Sequence, residues 1–287
     1  MAEFDYEAAF SRNIGWLTEI EQASLRKKRV AIAGMGGVGG VHLLTLTRLG
    51  VGAFNIADFD TFDIVNFNRQ AGAMMSTVGR PKAAVLKEMA LDVNPQLDVR
   101  VFGSGVSTEN LDEFLDGVDL YVDGLDFFAF EARRATFAAC NRLGVPAVTA
   151  APLGMGTAFL CFAPGGMSFE DYFGLEGQDE AEMALRFMIG LSPAMLQRSY
   201  LVDQSRVDLA EHRGPSTIMA CQLCAGVVAT ESAKLLLDRG GVPFAPHGYH
   251  FDAYRNRFVK TWRPGGARNP LQRMMLAIAR RQLAAMR

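Results

Sequence analysis

Cysteine is scarce in this chain of 287 residues, which has only Cys140, Cys161, Cys221 and Cys224. At this length four cysteines do not make a disulfide framework, so reduced thiols are expected. Histidine is equally rare, with four residues. His247 and His250 sit near an expected strand, where a satisfied surface pair is a better reading than a metal site. Neither sign of charge dominates. Lys and Arg total 29 against 31 Asp and Glu, a net charge of -2. No electrostatic footprint for nucleic acid is present. No uninterrupted apolar run reads as long enough to span a bilayer, so no membrane partner is expected. The opening MAEFDYEAAF is acidic and lacks the basic-then-apolar pattern of a secretory signal. A cytoplasmic location is therefore expected. Internal repeats and low-complexity stretches are missing as well. With 49% hydrophobic residues, the composition suits one large α/β domain, or one domain with an insertion.

The most informative stretch runs from Arg29 to Gln70. Val30-Ala-Ile-Ala33 is too short for a helix and suits a buried parallel strand. Gly34-Met-Gly36-Gly37-Val-Gly39 follows, then an amphipathic run from Val41 to Leu49, closed by Gly50. This is strand, glycine turn, helix. The glycines let the backbone turn tightly and approach a phosphate, and the helix N-terminus offers free N–H groups. A second strand, Ala53 to Ala57, ends at Asp58. That carboxylate lies about 20 residues past the glycines, where it can accept ribose hydroxyls. Alone, this pattern says only that a nucleotide binds, and an NAD(P)-dependent oxidoreductase is the default.

Further residues follow at ordered intervals. Thr61 to Gln70 has no clean periodicity and reads as a loop. Arg69 in it offers a guanidinium fork for phosphate oxygens or is a surface arginine; Asn66 is equally suited to an Asx turn. Pro81 opens a helix to about Asp92, which places Lys82 at a helix N-terminus, unfavourable for a cation unless an anion compensates. Asn94-Pro95 ends it, and Leu97 to Phe102 alternates as a strand. Ser107 is expected to cap a helix reaching about Leu115. Val118 to Val122 is the next strand, with Asp123-Gly-Leu-Asp126 at its carboxyl end, where open parallel sheets bind ligands. Asp126 reads either as a metal-facing carboxylate or as the cap of a helix from Phe127 to Leu143. Val145 to Ala150 and Thr157 to Phe162 are strands, the latter antiparallel. Helical turns are expected at Glu180–Ile189 and Pro193–Tyr200, a long core helix at Ile218–Leu237, and a hairpin, Tyr249–Tyr254 with Arg257–Trp262. A basic amphipathic helix, Leu271 to Met286, closes the chain; a docked or dimer-contact helix is preferred to a membrane-surface one.

The set Asp58-Phe-Asp60, Asn66-Phe-Asn-Arg69-Gln70, Gly79-Arg80-Pro81-Lys82 and Asp123-Gly-Leu-Asp126 resembles the adenylating enzymes of the ubiquitin-activating superfamily, the ThiF–MoeB–HesA family. The likeness runs from about Ser11 to Ala163, and more loosely from Gly214 to Lys260. It implies an α/β, Rossmann-like, doubly wound and mainly parallel sheet with C-terminal antiparallel strands. It also implies one adenylation domain over residues 1–287, with 164–215 as a helical crossover insertion and 263–287 as a helical tail. The insertion reads either as a lid over the site or as a packed element that stabilises a dimer. The activity implied is ATP- and Mg²⁺-dependent adenylation of a carboxylate, at the C-terminus of a small ubiquitin-like protein or a peptide, releasing pyrophosphate. Gly34, Gly36, Gly37 and Gly39 would form the phosphate loop and Asp58 would hold the ribose. Asp60, Asn66, Arg69, Gln70 and Lys82 would complete the nucleotide site. Arg69 and Lys82 would neutralise transferring phosphates, Asp126 would bind Mg²⁺, and Arg12 would reach in from the second subunit of a homodimer. Phe127 stands where the family usually has Asn. Many family members bind zinc through two C-x-x-C pairs; only Cys221-Gln-Leu-Cys224 exists here, so no zinc is expected. The segment 164–215 contains no cysteine for a thioester, and Cys221 reads as a small buried hydrophobe. A catalytically inactive nucleotide-binding scaffold is the remaining alternative.

Overall fold

A computed structural model describes residues 3–208, 211–212 and 214–285. Five short apolar segments form the parallel part of one sheet: β1 (Arg29–Ala33), β2 (Ala53–Ala57), β3 (Asp98–Phe102), β4 (Leu120–Asp123) and β5 (Ala147–Leu153). Three more, β6 (Gly156–Phe162), β7 (His247–Asp252) and β8 (Arg257–Trp262), continue it in antiparallel pairing. The order is β3-β2-β1-β4-β5-β6-β7-β8. Helices α1 (Tyr6–Phe10) and α2 (Glu19–Leu25) precede β1; α3 (Gly39–Leu49) leads from β1 out to β2, and α6 (Phe130–Leu143) leads from β4 the other way to β5. The winding therefore reverses between β1 and β4, and such a switch point opens a crevice at the carboxyl ends of the two strands.

Both faces of the sheet are covered, because alternate residues of each strand point to opposite sides. Val30 and Ile32 pack with Leu43, Leu46, Leu86 and Val228, under α3, α4 (Lys82–Val93) and α9 (Ile218–Leu236). Ala31 and Ala33 face the other way, toward Phe114, Phe137, Phe169 and Phe187. Small residues there leave room for an aromatic-rich layer built by α5 (Leu111–Phe114), α6, α7 (Phe169–Phe173) and α8 (Glu180–Leu191). Helix α9 is 19 residues long and apolar enough to cross a bilayer by composition, although Gln222, Glu231 and Lys234 interrupt its apolar run. It lies instead against β5 and β6, with Cys224 and Val228 buried in the sheet core.

Helix α5 is a single turn rather than the longer helix expected from Ser107. The Asn110 side chain explains this: its Oδ1 accepts from the Ser107 N–H at 2.8 Å and its Nδ2 donates to the Gly105 carbonyl at 2.9 Å. That holds 105–110 as a turn, as local side-chain bonds of Asn do. The crossover segment is helical as expected, with α7, α8 and a 3-10 turn at Leu196–Tyr200. The closing helix α10 (Pro270–Ala285) docks on α8 through Leu276 against Leu185 and Ile189; Met286, its expected end, lies outside the described residues.

His42 is an unusual core residue. It is fully buried on α3, with neither ring nitrogen hydrogen-bonded. Burial pushes its pKa down to about 3. The folded state then binds fewer protons than the unfolded state between that value and the ordinary 6.5, so stability should fall as pH drops through this window. At pH 5 the loss attributable to His42 is about 2 kcal/mol. His42→Leu should remove it. Urea unfolding at pH 7.5 and pH 5.0 checks this, and an equal acid loss in variant and parent would refute it.

Candidate functional site

The crevice at the switch point is lined by the strand ends that carry the sequence motifs. Gly34 has a φ of +87°, and its N–H donates to the Ala57 carbonyl at 2.7 Å. A Cβ at Gly34 would lie 2.1 Å from the Gly124 carbonyl oxygen, and one at Gly39 would lie 1.7 Å from the Gly34 oxygen. Those two glycines let the β1–α3 turn close tightly against the loop after β4. Gly36 and Gly37 are half-buried. A Cβ at Gly36 would meet nothing closer than Gln70 Nε2 at 3.6 Å, and one at Gly37 would approach Cys221 Sγ and Arg69 Cγ. The loop is thus bare backbone at the mouth of a helix N-terminus, the arrangement that suits an anion.

Asp58 follows β2 and braces this loop. Its Oδ2 accepts from the Met35 N–H at 2.6 Å and its Oδ1 from the Asp60 N–H at 2.8 Å. Burial raises its pKa, opposed by those two N–H groups and by the charge of Lys82. Lys82 is buried at the N-terminus of α4 and donates from Nζ to Asp60 Oδ2 at 2.9 Å. Asp60 therefore supplies the anion that a cation in this position requires, and an ammonium retains two further donors. Asn66 is buried, with Oδ1 accepting from the Asp63 N–H at 3.0 Å, so its side chain shapes its own loop. Arg69 lies against Gly37, and its Nη1 donates to the Val65 carbonyl and to Asn68 Oδ1. Gln70 is buried beside Gly36 with an unpartnered Oε1. An orphaned acceptor next to an uncovered glycine cradle fits a bound nucleotide, because buried polar groups otherwise find partners.

Asp126 sits beyond β4 on the opposite side of the glycine turn. Its carboxylate is exposed and accepts from the Phe128 N–H at 3.0 Å through Oδ1. No cluster of three His, Cys, Asp or Glu side chains occurs among the described residues. One exposed carboxylate is the donor set that Mg²⁺ uses when phosphates and water complete its shell, rather than an all-protein cage. The chemistry of the residues present fits that ion, and Asp126 is the carboxylate that could hold it.

Arg133 escaped sequence reading, and Asp123 figured there only as part of the Asp123-Gly-Leu-Asp126 motif. Asp123, the last residue of β4, forms a buried ion pair with Arg133 of α6, 2.8 Å from Oδ2 to Nε, and both side chains are 3% exposed. A carboxylate ending an otherwise apolar strand is the signal that was available, since a buried charge requires a partner. Cys221 lies beside Gly37 at the start of α9. Burial raises its thiol pKa, partly offset by Ser216 and Arg69.

Arg12 is not at this crevice. It lies in a 3-10 turn, Ser11–Asn13, exposed and with no hydrogen bond or ion pair among the described residues. The arm around it caps the far end of α3: Asn13 Nδ2 and Gln22 Nε2 donate to the Leu49 carbonyl, and Tyr6 Oη to that of Gly50. The glycine turn is about 15 Å away along the helix, at 1.5 Å per residue.

A doubly wound sheet with a bare glycine turn, a bracing acid after β2 and charged residues around the switch point defines a nucleotide-binding α/β protein. The chain belongs to the ThiF family, whose model matches residues 10–274. It is 36% identical over 123 residues to the tRNA threonylcarbamoyladenosine dehydratase of Bacillus subtilis, covering 42% of this chain and 48% of the relative. It is 33% identical over 141 residues to ubiquitin-like modifier-activating enzyme 5 of Caenorhabditis elegans, covering 45% and 32%. The chain thus spans about half or less of the length of these relatives. Among solved structures, E. coli MccB with ATP superposes with a TM-score of 0.66 at 19% identity, covering 91% of this chain and 72% of that one.

Proposed function

We propose that this protein is a homodimeric, cytoplasmic adenylyltransferase that uses ATP and Mg²⁺ to activate a carboxylate. The convergence of the glycine turn, Lys82, Arg69 and Asp126 on one switch-point crevice carries this reading. A carboxylate oxygen of the substrate attacks the α-phosphorus; the bond from that phosphorus to the bridging oxygen breaks, and pyrophosphate leaves. Catalysis then consists of positioning and charge neutralisation. Lys82 and Arg69 hold phosphate oxygens as charge moves onto the leaving group, and Asp126 would hold Mg²⁺, which supplies further neutralisation. Arg12 would add a cation from the partner subunit.

The favoured substrate is the C-terminus of a small ubiquitin-like protein or a peptide, in keeping with the relative named as a ubiquitin-like modifier-activating enzyme. The dehydratase relative motivates a second reading, in which the activated carboxylate belongs to a modified nucleoside. ATP–pyrophosphate exchange tests both, with candidate peptides and with carboxylate-bearing nucleosides as separate arms. Exchange that depends on a peptide carboxylate supports the first, and dependence on a nucleoside carboxylate replaces it with the second. A thermal shift by NAD and none by ATP·Mg²⁺ would sink adenylation and point to an oxidoreductase.

A further inference from the structure

The buried pair of Asp123 and Arg133 performs no step in that scheme, yet it lies directly beneath the loop that carries Asp126. Every nitrogen of the Arg133 guanidinium is engaged. Nε donates to Asp123 Oδ2, Nη1 to the Phe127 carbonyl at 3.2 Å, and Nη2 to the carbonyls of Leu125 at 2.9 Å and Asp126 at 2.8 Å. The Phe187 ring of α8 covers the guanidinium, 4.6 Å from Cζ. Asp123 is held in turn: Oδ2 also accepts from Thr149 Oγ1 at 2.8 Å, and Oδ1 accepts from the Leu125 N–H at 3.2 Å. Gly124 fixes the other end through its N–H to the Ala33 carbonyl at 2.9 Å.

We propose that Arg133 is a positioning residue for phosphate activation, which sets the backbone path of Leu125–Phe127 and so the placement of the Asp126 carboxylate. The inference rests on the adenylation reading. Three consecutive carbonyls turn inward onto one cation, so the segment between β4 and α6 has a single path although it belongs to neither element. A buried ion pair is weak evidence for stability, since apolar residues of similar volume often serve as well. What an apolar pair cannot do is organise three carbonyls and a carboxylate at once. That needs a planar fork with five donors, and lysine, a point charge, cannot replace it. The same clamp accommodates Phe127 in the position where the family usually has Asn: its carbonyl is held by Arg133 and its ring packs on Phe187.

Two variants test this. Arg133→Lys keeps a cation beside Asp123 but loses the fork. Asp123→Leu with Arg133→Met removes both charges together and guards against a fold lost to an unpaired carboxylate. For each, cooperative thermal unfolding, the kcat and KM of ATP–pyrophosphate exchange, and hydrogen exchange of the 125–129 amides are measured. The expected result is a kcat at least 100-fold lower with KM for ATP within threefold. Loop amides should exchange at least tenfold faster, while those of β1, β2 and α3 are unchanged. Adding Arg133→Lys to Asp126→Ala should bring no further loss. A folded variant with kcat within threefold of the parent, or loop amides as protected as in the parent, overturns the proposal. So does a loss that multiplies with that of Asp126→Ala. Unfolding of both variants also overturns it, because Arg133 would then serve the fold itself. If the parent catalyses no exchange with any carboxylate, the adenylation reading fails, while the hydrogen-exchange arm still decides whether Arg133 sets the loop.

Discussion

Asp126→Ala is expected to abolish ATP–pyrophosphate exchange and to leave a folded protein. The carboxylate is exposed and makes one local hydrogen bond, to the Phe128 N–H. Its removal should cost about 1 kcal/mol of stability, as for other short-range caps. Loss of the group that holds a metal against separating phosphates removes transition-state charge stabilisation, for which single groups are worth roughly 10²–10³ in kcat. The two magnitudes differ enough to separate the roles. Asp126→Asn sharpens the test, because an amide oxygen can still accept from the Phe128 N–H but carries no charge. It should restore the lost stability and not the turnover. An Asp126→Ala protein with parental exchange would show that this carboxylate only shapes its loop.

Arg12→Ala and Lys82→Ala should each be inactive alone and regain activity when co-refolded. Lys82 faces the crevice of its own chain. Arg12 sits at the far end of α3, beyond the reach of one side chain from the glycine turn, on an arm pinned by Asn13, Gln22 and Tyr6. The proposed role of Arg12 therefore requires a partner subunit to bring that guanidinium to a phosphate. In a two-fold dimer a heterodimer of the two variants carries both lesions in one site and neither in the other. About half of a normal dimer's activity should return per heterodimer. A cation delivered in trans to phosphates is worth roughly 10³–10⁵ in rate where it has been measured in other phosphoryl transfers, so the recovery should stand well above background. Neither substitution should disturb the fold much: Arg12 has no partner among the described residues, and Asp60, left alone in Lys82→Ala, is half exposed. Heterodimers that form without activity would place Arg12 outside the reaction.

The sequence by itself determined the parts of this protein that depend on local backbone chemistry. The glycine turn between β1 and α3 is legible because no other residue fits against Gly124 and Gly34 there. The alternation of parallel strands and helices is legible because apolar periodicity is a short-range property. The antiparallel hairpin of β7 and β8 announced itself by its turn, where Asn256 adopts a φ of +51°. Helix α5 was misjudged because Asn110, not Ser107, controls its start. Tertiary structure alone decided three things. It set the strand order β3-β2-β1-β4-β5-β6-β7-β8 of the eight-stranded sheet. It supplied Asp60 as the counter-charge of Lys82, 22 residues away. It also placed Arg133 under the Asp126 loop. In the sequence, Arg133 is one of two adjacent arginines on an amphipathic helix, indistinguishable from a solvated one. Its partners come from β4, the loop after it and α8, and a charge acquires such a role only when packing withdraws it from water and leaves a buried carboxylate and bare carbonyls as its hydrogen-bond partners.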